Sequence, residues 1–168
     1  MNTPVRIRKA TEADAPAIAS LLQTSMAQYA EVSGIPTVLD AQRETEADIL
    51  RHIEQDLVLV AETPGSIDGT VRLRLENDKK AYFSRFAVAP NRRKTGIGKH
   101  LLMVAVELLS EAGAEEIMLH TALSNQPLVA LYTSQGFELV SVSHDRGYAR
   151  GLFRKVLRPD DSSQKTDN

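Results

Sequence analysis

Residues 92–99, Arg92-Arg93-Lys94-Thr95-Gly96-Ile97-Gly98-Lys99, bring four cations and two glycines into eight positions. Directly before them, Phe86-Ala87-Val88-Ala89-Pro90 reads as a strand that stops where proline has no N–H to offer the ladder. From Ile97 onward, apolar residues recur at helical spacing (Ile97, Leu101, Val104, Ala105, Leu108, Ala112), and Gly113 closes the run. A helix start leaves backbone N–H groups unpaired and carries positive partial charge. Glycines there let an anion approach the backbone, so the stretch is a candidate phosphate cradle. Two familiar phosphate loops are excluded. Arg93 stands where a P-loop needs its first glycine, and His100 where it needs Ser or Thr. Leu101 stands where the dinucleotide fingerprint needs its third Gly or Ala. Taken alone, the loop reads equally as a glycine-rich strand-to-helix turn with solvated basic residues.

The elements around it must come from an ordinary globular chain. Its 168 residues suffice for one domain with a real core, expected over residues 1–157. A net charge of −2 gives no electrostatic footprint for nucleic acid, and no apolar run approaches membrane-spanning length. With no cysteine there is no disulfide, no cysteine zinc site and no acyl-cysteine intermediate. This composition, without a signal-peptide core at the N-terminus, makes the cytoplasm the expected location.

In chain order, Val5-Arg6-Ile7-Arg8 alternates as a first strand. Asp14 is the N-cap of a first helix, because Pro16 then falls in its first turn; Ile18, Leu21, Leu22 and Met26 form its inward stripe. Residues 29–40, with Gly34 and Pro36, read as a loop, and 41–55 as one second helix. The continuous apolar run 57–61 is a strand covered on both faces. Strands follow at 69–76 and 81–88, around the turn chemistry of Asn77-Asp78. Beyond the basic loop and its helix come a strand at 117–121 and a helix opened by Asn125-Gln126-Pro127 and closed by Gly136. The last two strands are 137–142 and 149–156. Residues 158–168 carry no apolar side chain and are expected to be a disordered tail.

This β-α-α-β-β-β-α-β-α-β-β order resembles, over about residues 4–157, the GCN5-related N-acetyltransferase (GNAT) family. Two motifs carry the resemblance. Arg93-x-x-Gly96-x-Gly98 is similar to the family's coenzyme A pyrophosphate loop, and Asn125, Tyr132 and Gly136-Phe137 recur at the spacing of a second family motif. Leu128 departs from the alanine usual three residues after the motif asparagine, which would narrow the space beside the cofactor. The resemblance implies an α/β fold: a mixed, mainly antiparallel central sheet of about seven strands, flanked by about four helices. A V-shaped splay would separate the strands 81–88 and 117–121, with acetyl-CoA lying in it as cosubstrate. No metal is implied.

By the same resemblance, the pantetheine arm pairs with the backbone of Phe86, Ala87 and Val88. The pyrophosphate takes N–H groups from Arg93, Lys94, Thr95, Gly96, Ile97 and Gly98, with Lys99 adding charge and Asn125 lying alongside. An attacking amine must shed a proton and the leaving thiolate must gain one. Tyr132 matches the family position for the general acid; the alternative is a tyrosine merely packed against the sheet. His120 stands five residues before Asn125, where the branch acetylating ribosomal-protein N-termini carries a glutamate base. A hydrogen-bonded strand histidine, with water and backbone carbonyls as proton acceptors, is the equal alternative. Tyr29 and Arg146, with Asp145 and Tyr148, would wall the acceptor side, and Arg72, Arg74 and Arg85 on the central strands could meet a substrate carboxylate, the alternative being a solvated charged face. His52, His100 and His144 read as surface residues.

The activity implied is direct acetyl transfer, in a ternary complex, to a primary amine of a small metabolite or amino-acid-like acceptor. Acetylation of a protein N-terminus or lysine remains an alternative, as does a catalytically silent CoA-binding regulatory module. Neither nucleic acid nor membrane is an expected partner. A homodimer through the last strands is a family habit.

Overall fold

The structure, a computed structural model, describes residues 4–37, 39–92 and 95–157. Arg93, Lys94 and the expected tail at 158–168 lie outside the described residues. Seven strands run in chain order: β1 Arg6–Lys9, β2 Leu57–Thr63, β3 Ser66–Leu75, β4 Lys80–Val88, β5 Glu116–Ala122, β6 Glu138–Ser143 and β7 Arg150–Val156. They form one sheet in the order β1-β2-β3-β4-β5-β7-β6. Every neighbouring pair is antiparallel except β4–β5, which is parallel. The mixed, mainly antiparallel sheet expected from the sequence is therefore the one observed.

Helices cover both faces: α1 Ala15–Ser33, α2 Asp40–Arg43, α3 Glu46–Gln55, α4 Ile97–Glu111 and α5 Gln126–Ser134. On β2, Val58 and Val60 meet Ile18, Leu22 and Ile49 of α1 and α3. The intervening Leu59 joins Val71, Leu73, Leu101 and Leu102 under α4. This alternation explains the unbroken apolar run: a strand buried on both faces needs every residue apolar, and each such side chain contributes about 1.5–3 kcal/mol.

Three local expectations are corrected. Among the described residues there are five α-helices where about four are expected, because the segment 41–55 breaks at Glu44-Thr45. There the Thr45 hydroxyl accepts the Asp48 N–H (3.2 Å) and the Asp48 carboxylate accepts the Thr45 N–H (2.9 Å), a reciprocal cap that starts a new helix. Helix α1 runs on to Ser33 and ends only at Gly34, whose φ of 71° is left-handed. Tyr29 is thus a helical residue, held rigidly over the sheet, and not part of a loop. On β3, the sequence alternates Val71, Leu73 and Leu75 against Arg72, Arg74 and Glu76; Val71 and Leu73 are buried and Arg74 and Glu76 exposed as that predicts, but Leu75 is exposed and Arg72 is buried, covered by Glu44 from the α2–α3 segment.

Candidate functional site

The central strands pair for only three residues: Lys80 with Glu116, Ala81 with Ile117, and Tyr82 with Met118. Beyond them β4 stays on β3 and β5 stays on β7, so the sheet forks. A bulge helps drive β4 away. Between the pairs Thr70–Ala87 and Arg72–Ser84, Arg85 and Phe86 oppose the single residue Val71, and Arg85 takes a left-handed φ of 53°. An extra residue on one strand bends it and sharpens its twist.

One arm of the fork opens on a cavity of about 460 Å³ between α1, β4 and the starts of α4 and α5. Phe86, Ala87 and Val88 line it, as do Gly96, Gly98, Lys99 and Asn125. Gly96 is the N-cap of α4 at φ 89°, a conformation side chains resist. The first α4 bond that reaches back to it is from the His100 N–H to the Gly96 carbonyl (3.0 Å), so the N–H groups of Ile97, Gly98 and Lys99 precede the helical ladder. No acidic residue competes in that first turn. A Cβ at Gly98 would lie 3.3 Å from the Phe86 ring and 3.4 Å from Val88 Cγ2, so glycine is what keeps α4 close to β4. Ile97 is buried in the core and anchors the helix start, whereas Thr95 is exposed and donates its hydroxyl to the Arg92 carbonyl.

Asn125 is buried and does two structural jobs. Its carbonyl oxygen accepts the Leu128 N–H (3.3 Å), capping α5, and its amide donates to the Ser33 hydroxyl (3.2 Å) at the end of α1. Two further polar groups face this cavity, Arg92 from the basic loop and Gln28, which the sequence does not mark. Gln28 Oε1 and Arg92 Nε are buried without a hydrogen-bond partner, and both residues line the cavity. Arg92 Nε lies 3.4 Å from Asp68, which is held by the hydroxyls of Thr63 and Ser66, each at 2.6 Å. Gln28 lies on α1 outside the apolar stripe Ile18, Leu21, Leu22 and Met26, so its sequence position carries no signal.

The other arm opens on a cavity of about 200 Å³, and Met26, Tyr29, Phe86 and Leu128 border both cavities. Tyr132 of α5 sits at the fork, its ring 6.1 Å from those of Phe83 and Phe86 and 5.9 Å from Phe137. Its hydroxyl has no hydrogen-bond partner among the described residues, and the residue lines the second cavity. Burial, with a smaller contribution from Tyr29, pushes the phenol far above its ordinary pKa, so it stays protonated. His120 of β5 opens on the same cavity. Burial, then Arg150 and Arg146, hold its pKa below the ordinary 6.5, so the neutral imidazole is its form at pH 7.

The remaining acceptor-side residues are only partly free. The Tyr29 hydroxyl accepts the Ala122 N–H (2.7 Å), tying α1 to β5. Arg85 lines the cavity but also reaches Glu44 (3.2 Å), which Arg72 grips through two bonds of 2.9 and 2.7 Å. Arg74 is engaged by Asp56 (3.0 Å), and His52 by the same carboxylate (2.9 Å), so His52 is not the free surface residue expected. Arg146 lines the cavity with Asp40 3.5 Å away. Arg150, unmarked in the sequence, lines it too. No group of three or more His, Cys, Asp or Glu suited to a metal occurs among the described residues.

A parallel central pair that forks beside a helix N-terminus defines a class of fold, and comparison with known proteins identifies it. Residues 19–137 match the Acetyltransferase (GNAT) family, and the chain belongs to that family. An N-alpha-acetyltransferase of Sulfurisphaera tokodaii is 33% identical over 95 residues, covering 49% of this chain and 57% of that protein. The chain spans little more than half, or less, of the length of the curated relatives it matches. Among solved structures, the PaiA N-acetyltransferase of Thermoplasma acidophilum, in complex with coenzyme A, shares the fold at TM-score 0.81 and 20% identity, over 92% of this chain and 99% of that one. YncA of Salmonella typhimurium, with its cofactor acetyl-CoA, follows at 0.75 and 19%, over 92% and 95%.

Proposed function

We propose that this protein is an acetyl-CoA-dependent N-acetyltransferase acting on a primary amine of a small metabolite or amino-acid-like acceptor. The observation that carries the reading is the fork itself. β4 and β5 separate after three pairs, leaving a helix N-terminus at one end and a protonated tyrosine at the crotch. The residues present fit the cofactor: among the described residues Gln28 Oε1 has no hydrogen-bond partner in the groove and Arg92 Nε has only its 3.4 Å ion pair with Asp68, and the first turn of α4 offers N–H groups to phosphate. In this reading Phe86, Ala87 and Val88 offer backbone to the pantetheine arm. Gly96, Ile97, Gly98 and Lys99 meet the pyrophosphate, and Asn125 orders the turn beside it.

When bound, acetyl-CoA supplies the thioester that an amine attacks directly and the thiolate that leaves. Tyr132 holds a proton at its hydroxyl and donates it where negative charge develops at the fork. His120, neutral and open to the acceptor cavity, takes the amine's proton directly or through water. Met26, Tyr29 and Leu128 border both cavities and keep water from the junction. The acceptor cavity's volume of about 200 Å³ favours a small molecule over a protein segment.

The reading carries one domain over residues 1–157 and a cytoplasmic setting; no helix among the described residues is long and apolar enough to cross a membrane. It also carries a homodimer through the free edge of β6, where Leu139, Val140 and Val142 stay about half exposed. Calorimetric titration of acetyl-CoA into wild type and Gly98→Glu tests the core of it. Micromolar binding that disappears in the variant is the expected result; no binding to the wild type would overturn the reading in favour of a fold without the activity.

A further inference from the structure

The charges around the acceptor cavity are unequally satisfied. Elsewhere two covered arginines hold a carboxylate through paired hydrogen bonds, although Nε of Arg72 has no partner among the described residues. Arg8 holds Asp14 through bonds of 2.7 and 2.9 Å, and Arg72 holds Glu44 through bonds of 2.9 and 2.7 Å. Arg150 differs. Its side chain is only 15% exposed, yet it makes no hydrogen bond among the described residues. Its one ion pair there is with Asp145 at 3.9 Å, a carboxylate 69% exposed. Arg146, from the β6–β7 connection, has only Asp40 at 3.5 Å, itself 68% exposed.

Register places Arg150 where it matters. It pairs with Ala122 while Leu152 pairs with His120, so Arg150 and His120 share one face of the sheet at the open end of the fork. The cavity lining carries Arg85, Arg146 and Arg150 against Asp40. Adding the groups they touch, Glu44, Asp145 and Arg72, still leaves one positive charge in excess. The Arg150 guanidinium nitrogens are not among the buried atoms that lack a partner, so its donors are open to the cavity, and their planar fork matches a carboxylate in bidentate geometry.

Resting on the acetyl-transfer reading above, we infer that the acceptor is an amine that carries its own carboxylate, gripped by Arg150 with Arg146 assisting. Such an acceptor fills the open donors of Arg150 and neutralises the excess charge. A polyamine or a lysine in a basic segment would add positive charge to a mouth that already has too much. The arrangement also couples binding to chemistry. Arg150 and Arg146 are two of the causes that lower the basicity of His120, so a carboxylate seated on them restores part of that basicity as the amine arrives.

The test pairs each free amino acid with its carboxamide, and dipeptides with theirs, and includes spermidine as the polycation, all at saturating acetyl-CoA. Wild type is expected to prefer the carboxylate partner by about tenfold or more in kcat/KM, through KM. In Arg150→Gln the carboxylate-to-amide ratio should collapse toward one, Arg150→Lys should recover part of it, and Arg146→Gln should give a smaller loss. A dipeptide preference would place the carboxylate on a peptide terminus; a preference for single amino acids would place it beside the amine. Equal use of amides, or a preference for spermidine, would overturn the inference while leaving acetyl transfer intact. Calorimetric titration of N-acetyl amino acids and their amides into the CoA-loaded protein reads the anion site without turnover. Carboxylate-selective binding there supports the inference even if no acceptor is acetylated, and its absence refutes it.

Discussion

Replacing Tyr132 by Phe separates chemistry from packing, because the ring and the hydroxyl have different partners. The ring touches Phe83, Phe86 and Phe137 with centroids 5.9–6.1 Å away, contacts that phenylalanine keeps. The hydroxyl has no hydrogen-bond partner among the described residues, so its removal should change stability by less than about 1 kcal/mol. If the hydroxyl is the proton donor at the fork, turnover should fall about 100-fold or more, with little change in acetyl-CoA affinity. Tyr132→Ala is the packing control. Emptying that position should cost about 3–5 kcal/mol, a melting shift on the order of 10 °C for a chain this size. Steady-state kinetics with saturating acetyl-CoA, together with thermal melts of both variants, read the two effects apart. Unchanged turnover in Tyr132→Phe would refute the acid assignment, and a melting drop equal to that of Tyr132→Ala would refute the account of the hydroxyl.

Further outcomes follow from the same geometry. As the base, neutral His120 should give kcat/KM an acidic limb that rises with pH through a value below 6.5, apart from the acceptor's own limb at higher pH; His120→Gln should abolish that limb, and an unchanged profile would exclude the role. Burial pushes the Glu44 carboxyl up, but hydrogen bonds and charge from Arg72 and Arg85 outweigh it and hold the group below its ordinary 4.5. Its contribution is therefore complete above pH 4.5 and is lost as pH falls through the lowered value, so the melting temperature should drop across that window in wild type but less so in Glu44→Gln. Near pH 7 that variant leaves Arg72 buried without its partner, at a cost on the order of 3 kcal/mol read by urea unfolding. Leu128 borders both cavities, so Leu128→Ala should raise the use of butyryl-CoA relative to acetyl-CoA by about tenfold, measured as a ratio of kcat/KM.

Where the sequence was legible, a residue's local chemistry and its role in the fold coincided. Pro90, Gly96 and the spacing from Ile97 announce a strand stop and a helix start whatever lies around them. Asn125 with Pro127 announces α5 in the same way. What stayed hidden depends on partners far along the chain. The bulge at Arg85-Phe86 contains no glycine or proline, and it arises only because Val71 alone lies opposite. The cap at Thr45 is masked in the sequence by the apolar stripe of 41–55, which runs straight through it. Gly34 and Pro36 draw the expected helix end several residues too early and so leave Tyr29 in a loop. Arg150 looks like any strand arginine until register sets it beside His120, where its one ion pair among the described residues is the long one to Asp145. Reading Arg72 as a free cation failed for the converse reason: its carboxylate, Glu44, comes from a helix junction that no local pattern revealed.

The most direct measurement is amide hydrogen–deuterium exchange on the protein with and without acetyl-CoA, which needs no knowledge of the acceptor. The account predicts new protection in two separate segments, Phe86 to Val88 on β4 and Ile97 to Lys99 at the start of α4, because residues of both segments line the same groove. Protection confined to the unrelated hollow around Asp14, Ser66 and Asp68, or no change anywhere at millimolar acetyl-CoA, would contradict it.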